Sequence, residues 1–373
     1  MTRYRDLGLT VGQLPPGPLN AITDVAGVRV GSTPLIEGEG PLAVGRGPIP
    51  TGVTVIVPHD GIGEHPVFAG CHRLNGNGEL TGLEWVRESG QLTSPIAITN
   101  THSVGIVRDA LVANDVGRRD DTTSYWSLPV VGETYDGALN DINGFHVRRE
   151  HADAALAGAT GGPVAEGNVG GGTGMVCHEF KGGTGTASRV VGDGWIVGAL
   201  VQANHGRRER LTVDGVPVGR EIGLDRVPSA WDEDEAHRRA GAGSIITIVA
   251  TDAPLLPHQL ERVAQRVVLG IARVGGGGEH TSGDLMLAFS TANADRLTSY
   301  KQSQPAVSFA VDMLPDGAMT ELFWGAIEAV EEAILNVLTA AETLTGRDGI
   351  TAHALDHDEL VAVMSRYGRG PSS

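Results

Sequence analysis

Ten glycines fall between residues 161 and 188, in GGPVAEGNVGGGTGMVCHEFKGGTGTAS, within a chain that has 54 glycines in 373 residues. Glycine has no Cβ, so a stretch this dense marks backbones that approach closely or turn sharply. It does not have the form of a nucleotide loop. The Walker A pattern needs a lysine after its glycines, whereas Lys181 precedes Gly182 and Gly183. The dinucleotide-binding spacing fails because Cys177 stands where the third glycine belongs. GGGTG (170–174) and KGGTGTAS (181–188) are therefore expected to be tightly packed loops, or turns that wall a substrate cleft.

Around this stretch, strand and helix patterns alternate. PLNAITDVAGVRVG (18–31), TGVTVIVP (51–58), PIAITN (95–100) and WIVGALVQAN (195–204) have strand character and are bounded by glycine or proline. ELTGLEWVRESG (79–90) and GIVRDALVANDVG (105–117) have helical spacing. Residues 205–243 are polar, charged and weakly periodic, which predicts a flexible linker in the middle of the chain. A strong strand, SIITIVATDAP, follows it directly. The segment 257–274 sets Leu260, Val263, Ala264, Val267 and Ile271 on one helical face. GDLMLAFSTAN (283–293) has the pattern of a buried strand, and residues 321–344 form the longest predicted helix. Mixed strands and helices predict an α/β layered architecture in a single domain spanning 1–373.

Charge and composition narrow the function. Lys+Arg 28 against Asp+Glu 45 gives a net charge of −17. Such a chain repels phosphate backbones and anionic membranes, so neither nucleic acid nor membrane is an expected partner. Its field favours neutral or cationic small molecules, for example those with a free amine. No apolar run approaches membrane-spanning length and no secretory signal is visible, so a cytoplasmic protein is expected. Two cysteines, Cys71 and Cys177, make neither a disulfide framework nor a four-cysteine zinc site. H-E-x-x-H is absent, and His178-Glu179 lacks its second histidine. His353 and His357 share a helical face by spacing but sit among acidic residues, and are expected to be solvated. His59 and His65 lie in a Gly/Pro loop without ligand spacing. No metal or organic cofactor is expected. The only lysines, Lys181 and Lys301, leave few candidates for a Schiff base, and no G-x-S-x-G elbow occurs.

The informative junction is Gly243-Ser244, where a serine opens an apolar strand behind Gly-Ala-Gly. Ser244 is either an ordinary first residue of a strand or an autoproteolytic nucleophile. In the second case its hydroxyl attacks the carbonyl of Gly243, and water hydrolyses the ester. Glycine at the preceding position can take a strained conformation and expose that carbonyl. Cleavage frees an α-amine, whose ordinary pKa is about 7.7–8.0. That amine is a suitable general base for its own hydroxyl, with no histidine required.

GSIITIVATDAPLLPHQLERVAQRVVLGIARVGG and TSGDLMLAFSTAN resemble the L-aminopeptidase/D-esterase family, which includes the β-peptidyl aminopeptidases. GPLNAITDVAGVRVG, TGVTVIVP, PIAITNTHSVG, VVGETYDG, NVGGGTGMVCHEFKGGTGTASR and VGALVQANHG continue the likeness in order, from about residue 17 to about 330. The resemblance implies a four-layer α-β-β-α sandwich, of the kind shared with ornithine acetyltransferases. It also implies self-cleavage before a Ser or Thr, and amino-terminal amidase or esterase activity. The daughter chains would be 1–243 and 244–373, assembled into a homo-oligomer of cleaved pairs. By the same resemblance Ser244 is the nucleophile. Ser282 hydrogen-bonds the amine or hydroxyl of Ser244. Asp284, at a position held by Glu in some relatives, orients that pair. Asn204 stabilises the oxyanion and Tyr135 lies near the scissile carbonyl. Glu133 holds the substrate's ammonium, and Asn100 either lines the pocket or caps the end of its strand.

The expected activity is release of N-terminal amino acids, whether L-α, D-α or β, from short peptides, amides or esters through an acyl-Ser244 intermediate. A nylon-oligomer-type hydrolase or an ornithine-type acetyltransferase is a related alternative, although both use Thr as nucleophile. A non-catalytic nucleotide- or anion-binding protein is the alternative of another class.

Overall fold

The computed structural model describes residues 1–120, 122–231, 242–299 and 308–371. Two sheets lie face to face. The smaller has the order β1-β2-β5-β6, with β1 Arg29–Glu37, β2 Ile49–Val57, β5 Ile96–Asn100 and β6 Val130–Thr134. The larger has the order β4-β3-β12-β11-β10-β9. Its strands are β3 Val67–Gly76, β4 Gln91–Leu92, β9 Gly183–Val191, β10 Trp195–Asn204, β11 Ala242–Thr251 and β12 Thr281–Ser290. Helices α2 (Val104–Val116) and α3 (Arg149–Ala157) cover the outer face of the smaller sheet. Helices α5 (Pro257–Arg273) and α6 (Met319–Ala340) cover the outer face of the larger. The short helices α1 (Leu83–Ser89) and α4 (Val218–Glu221) precede them in the chain, and α7 (His357–Arg366) closes it. No described helix is long and apolar enough to cross a membrane.

The period-two alternation of strand side chains builds these four layers. On β11, Ile246, Ile248 and Ala250 face the smaller sheet and meet Ile56, Ile96, Ile98 and Val130. Ile245 and Val249 face the other way, onto Leu260, Val263 and Val267 of α5. The five apolar positions predicted for one face of α5 are all buried. The layer order is α-β-β-α.

Four local expectations are corrected. The segment 18–31 is not one strand: Ile22–Asp24 is a 3-10 turn capped by Asp24, and β1 begins at Arg29. KGGTGTAS is not a loop, because residues 183–191 form β9 under α6. A Cβ on Gly185 would lie 2.2 Å from the carbonyl oxygen of Ala333, so glycine is what lets the helix sit on this strand. The expected linker 205–243 is structured over residues 205–231. Leu211, Val213, Val216, Val218 and Ile222 are buried against the α5 and α6 layer. The remainder of that stretch, 232–241, lies outside the described residues. His353 and His357 do not share a helix either, since Asp356 caps α7 at its first turn and His357 opens it. The His357 ring donates from Nε2 to the carbonyl of Thr339 at 2.7 Å.

Candidate active site

At one edge of the sandwich the C-terminal ends of β5, β6 and β10 meet the N-terminal ends of β11 and β12. A cavity of about 510 Å³ opens there, and Ser244, Asn204, Tyr135 and Glu133 all line it. Its lining includes three glutamates, Glu79, Glu133 and Glu179, and no lysine or arginine among the described residues.

Ser244 is the third residue of β11 and is 5 % exposed. Its side chain follows Ile246 and Ile248 onto the inter-sheet face. Oγ accepts a hydrogen bond from the backbone N–H of Gly283, its register partner on β12, at 3.1 Å. The preceding Gly243 has no positive φ. Close approach, not a left-handed backbone, selects glycine here: a Cβ would lie 2.6 Å from the carbonyl oxygen of Asn204.

Asn204 closes β10 opposite Ser244. Its Oδ1 accepts from the N–H of Val176 at 2.8 Å, and its Nδ2 donates to the carbonyl of Tyr135 at 2.9 Å. These two bonds fix the amide plane and leave one Nδ2 hydrogen for another acceptor.

Ser282 and Asp284 lie on the helix-facing side of β12, across the sheet from Ser244 Oγ. They are joined to β11 through its backbone. Ser282 Oγ donates to Asp284 Oδ1 at 2.6 Å, and that same oxygen accepts from the N–H of Ile245 at 3.2 Å. Burial pushes the Asp284 carboxyl above its ordinary range, partly offset by these two hydrogen bonds.

Glu133 is the last residue but one of β6 and is almost fully buried. Oε1 accepts from the N–H of Glu79 at 3.0 Å, and Oε2 accepts from the hydroxyl of Thr101. Burial raises its carboxyl above the ordinary glutamate range, and these two donors hold the rise back. Thr101 and Glu79 are cavity residues that sequence reasoning missed. Thr101 is the residue after the one chosen on β5, and only tertiary pairing brings residue 79 to Glu133. Asn100 is not brought to the cavity wall. Its amide donates to Thr51 Oγ1 at 2.7 Å and accepts from the N–H of His102, so it caps the turn at 101–103 inside a buried cluster with Asp136.

The glycine run performs a packing task. Residues 170–172 form a 3-10 turn wedged between the sheets, where a Cβ on Gly171 would lie 2.2 Å from Gln202 Oε1. One cluster among the described residues has the spacing to hold a metal ion. It is Cys177, His178 and His205, buried behind Asn204. The histidine missing from the sequence pattern at His178 is supplied by the residue after β10.

Two facing sheets clad by helices, with a serine at the start of an inner strand, define an α-β-β-α fold of the Ntn-hydrolase type. The comparisons with known proteins agree. The family model for peptidase family S58 matches residues 20–352. A β-peptidyl aminopeptidase, BapA, of Sphingosinicella microcystinivorans is 50 % identical over 377 residues, covering 98 % of this chain and 93 % of that protein. A solved β-aminopeptidase of a Burkholderia species superposes with a TM-score of 0.90 at 52 % identity, covering 98 % of this chain and 99 % of that one. The L-aminopeptidase D-Ala-esterase/amidase of Ochrobactrum anthropi, described as a variant of the Ntn-hydrolase fold, superposes at 0.88 with 46 % identity, covering 99 % of each chain. The chain belongs to peptidase family S58. It is a hydrolase of aminopeptidase type, and the non-catalytic alternative is set aside.

Proposed function

We propose that this chain cleaves itself between Gly243 and Ser244 and then releases N-terminal residues, α or β, from short peptides, amides or esters. The observation that carries this reading is the position of Ser244. Ser244 lines the cavity, and its register partner on β12 is Gly283, which lies between Ser282 and Asp284.

In the first reaction Ser244 Oγ attacks the carbonyl carbon of Gly243. The C–N bond breaks, and an ester and a free Ser244 amine form. Water then hydrolyses the ester. In turnover the amine takes the hydroxyl proton as Oγ attacks the substrate carbonyl, and the leaving amine or alcohol collects that proton. Water, activated by the same amine, then hydrolyses the acyl-Ser244 ester to release the amino acid and restore the hydroxyl. Ser282, oriented by Asp284, holds the Ser244 amine from the helix-facing side. The free Nδ2 hydrogen of Asn204 stabilises the oxyanion, a contribution of about 2.7–4 kcal/mol to the barrier. Tyr135 faces the carbonyl undergoing attack. Glu133 takes the substrate's ammonium, and the glutamate-rich lining supports a cationic end. Small peptides are the partners of this reading, and the cytoplasm is its proposed location. Assembly of cleaved pairs into a homo-oligomer belongs to it as well. Exposed apolar side chains such as Leu269 and Trp324 support such an assembly.

The test is release of nitroaniline from α- and β-aminoacyl nitroanilides by the purified chain and by Ser244→Ala. The reading expects turnover by the first and none by the second. It fails if Ser244→Ala is active, or if the wild-type chain transfers acetyl groups from acetyl-ornithine but cleaves no aminoacyl anilide.

A further inference from the structure

β7 (Val176–Cys177) and β8 (Phe180–Lys181) pair with Cys177 opposite Phe180, so His178 and Glu179 form a two-residue turn. Their φ values of 48° and 61° are those of a type I′ hairpin, which usually selects asparagine and glycine. The turn sends the His178 ring inward, where it is fully buried. Gly206 leaves the room for it, since a Cβ there would lie 2.3 Å from His178 Cε1. His178 Nδ1 donates to the carbonyl of Arg207 at 3.1 Å, which leaves Nε2 as the nitrogen with a lone pair. That Nε2 has no hydrogen-bond partner, and neither has Nε2 of His205. The two rings meet edge to face with centroids 5.2 Å apart, and Cys177 Sγ lies 4.0 Å from His205 Nδ1. One ligand atom from each of the three residues lies within 4.8 Å of the others. An unpartnered buried nitrogen costs free energy, and a cation held by His178 Nε2 would remove that cost there.

We propose that Cys177, His178 and His205 form a three-coordinate site for a soft monovalent cation of the Cu⁺ class. One thiolate and two neutral imidazoles are donors such an ion favours. Charge selects it over Zn²⁺. A thiolate and Cu⁺ sum to zero, whereas Zn²⁺ leaves a net positive charge buried beside the guanidinium of Arg208, itself stacked 3.4 Å over the Phe180 ring. Burial pushes His178 down to about 4 and His205 well below its usual value, so both rings are neutral and able to ligate. Burial pushes the Cys177 thiol up to about 12, so binding replaces its proton: thiol plus Cu⁺ gives the copper thiolate plus H⁺, with no change of oxidation state. His205 and Gly206 line the substrate cavity, which is the ion's route in.

Ligation draws His205 toward Cys177. His205 follows Asn204 in the chain, and Val176, which precedes Cys177, holds the Asn204 amide. A bound ion therefore shifts Asn204 relative to Ser244 and suppresses turnover.

The test titrates Cu⁺, supplied anaerobically as its acetonitrile complex, into the wild-type protein and into Cys177→Ala and Cys71→Ala. Ions retained after desalting are counted by native mass spectrometry. Wild type and Cys71→Ala are expected to keep one ion, and Cys177→Ala none. Aminoacyl-anilide turnover falls at least about tenfold as the ion binds and returns with a Cu⁺ chelator. Copper X-ray absorption on the wild type shows one sulfur and two nitrogen neighbours, a readout that stands if Cys177→Ala does not fold. No retained ion in the wild type, equal retention by folded Cys177→Ala, a copper shell without sulfur, or stronger retention of Zn²⁺ overturns the proposal.

Discussion

Asn204 and Ser244 are register partners across β10 and β11, so the amide that ends one inner strand stands opposite the hydroxyl near the start of the next. Neither side chain is free to drift. Gly283 donates to the serine oxygen, and Val176 and Tyr135 hold the two ends of the amide. Asn204→Ala removes the amide proposed to stabilise the oxyanion. It lowers kcat by about 10²–10³-fold with a smaller change in KM, measured with an aminoacyl anilide on processed enzyme.

With Glu133 taking the substrate's ammonium as proposed, its titration is expected to set the acid limb of the pH profile. Burial raises its pKa, so the carboxylate that holds a substrate ammonium is present above a pH higher than an ordinary glutamate requires, and is lost as pH falls through that raised value. The expected acid limb of kcat/KM therefore lies above about pH 4.3, the unperturbed glutamate pKa. Glu133→Gln abolishes that limb and lowers kcat/KM at neutral pH by about 10- to 100-fold, mostly through KM. A pH series on both proteins measures it.

At residue 243 a side chain has no room. The Cβ of Gly243→Ala would meet the Asn204 carbonyl oxygen at 2.6 Å, so the strand start must move away from β10. Self-cleavage slows by at least about tenfold, followed as disappearance of the full-length band over time after synthesis.

A buried ion cluster anchors the N-terminal segment to α6. Arg189, wholly buried, donates to Glu332 at 2.7 Å, and Arg5 donates to the same carboxylate at 2.7 Å. Burial pushes the Glu332 carboxyl up, but the Arg5 hydrogen bond and the Arg189 charge outweigh it and hold the pKa below the ordinary value. A depressed carboxylate stabilises the fold above its unfolded pKa, and that stability is lost as pH falls through the folded pKa. Glu332→Gln is expected to cost about 3–5 kcal/mol at pH 7 in urea denaturation, with a smaller cost near pH 3.

The layered architecture was legible where burial imposes one period. The strand at 96–100 and the helix at 257–273 stand where the patterns placed them, because the strand is an apolar run buried on both faces and the helix turns one regular apolar face to the sheet. The segment 205–231 was not legible. Its apolar residues follow no period, and their burial depends on Arg208, which donates to the carbonyls of His178, Glu179, Ile222 and Val227. Strand β9 was hidden by its glycines, which disfavour strands in isolation but let α6 approach. At the site, Asn204, Tyr135 and Glu133 were placed by the family resemblance and not by any local pattern, which on its own leaves them as ordinary strand-end and turn residues. Thr101 and Glu79, which hold Glu133, were not placed, since they meet it only through tertiary pairing. Of the two readings of Asn100, the cap is the one the structure shows: its amide is held by Thr51 and the N–H of His102, away from the cavity.

The central claim is that Ser244 becomes a chain terminus. The direct measurement is the intact mass of the purified protein under denaturing conditions, with N-terminal sequencing of the smaller species. From a 38.8 kDa chain the account predicts two pieces of about 25 and about 14 kDa, the smaller beginning at Ser244, and a single uncut chain for Ser244→Ala. A wild-type chain that stays whole after prolonged incubation, yet turns over aminoacyl substrates, would contradict it.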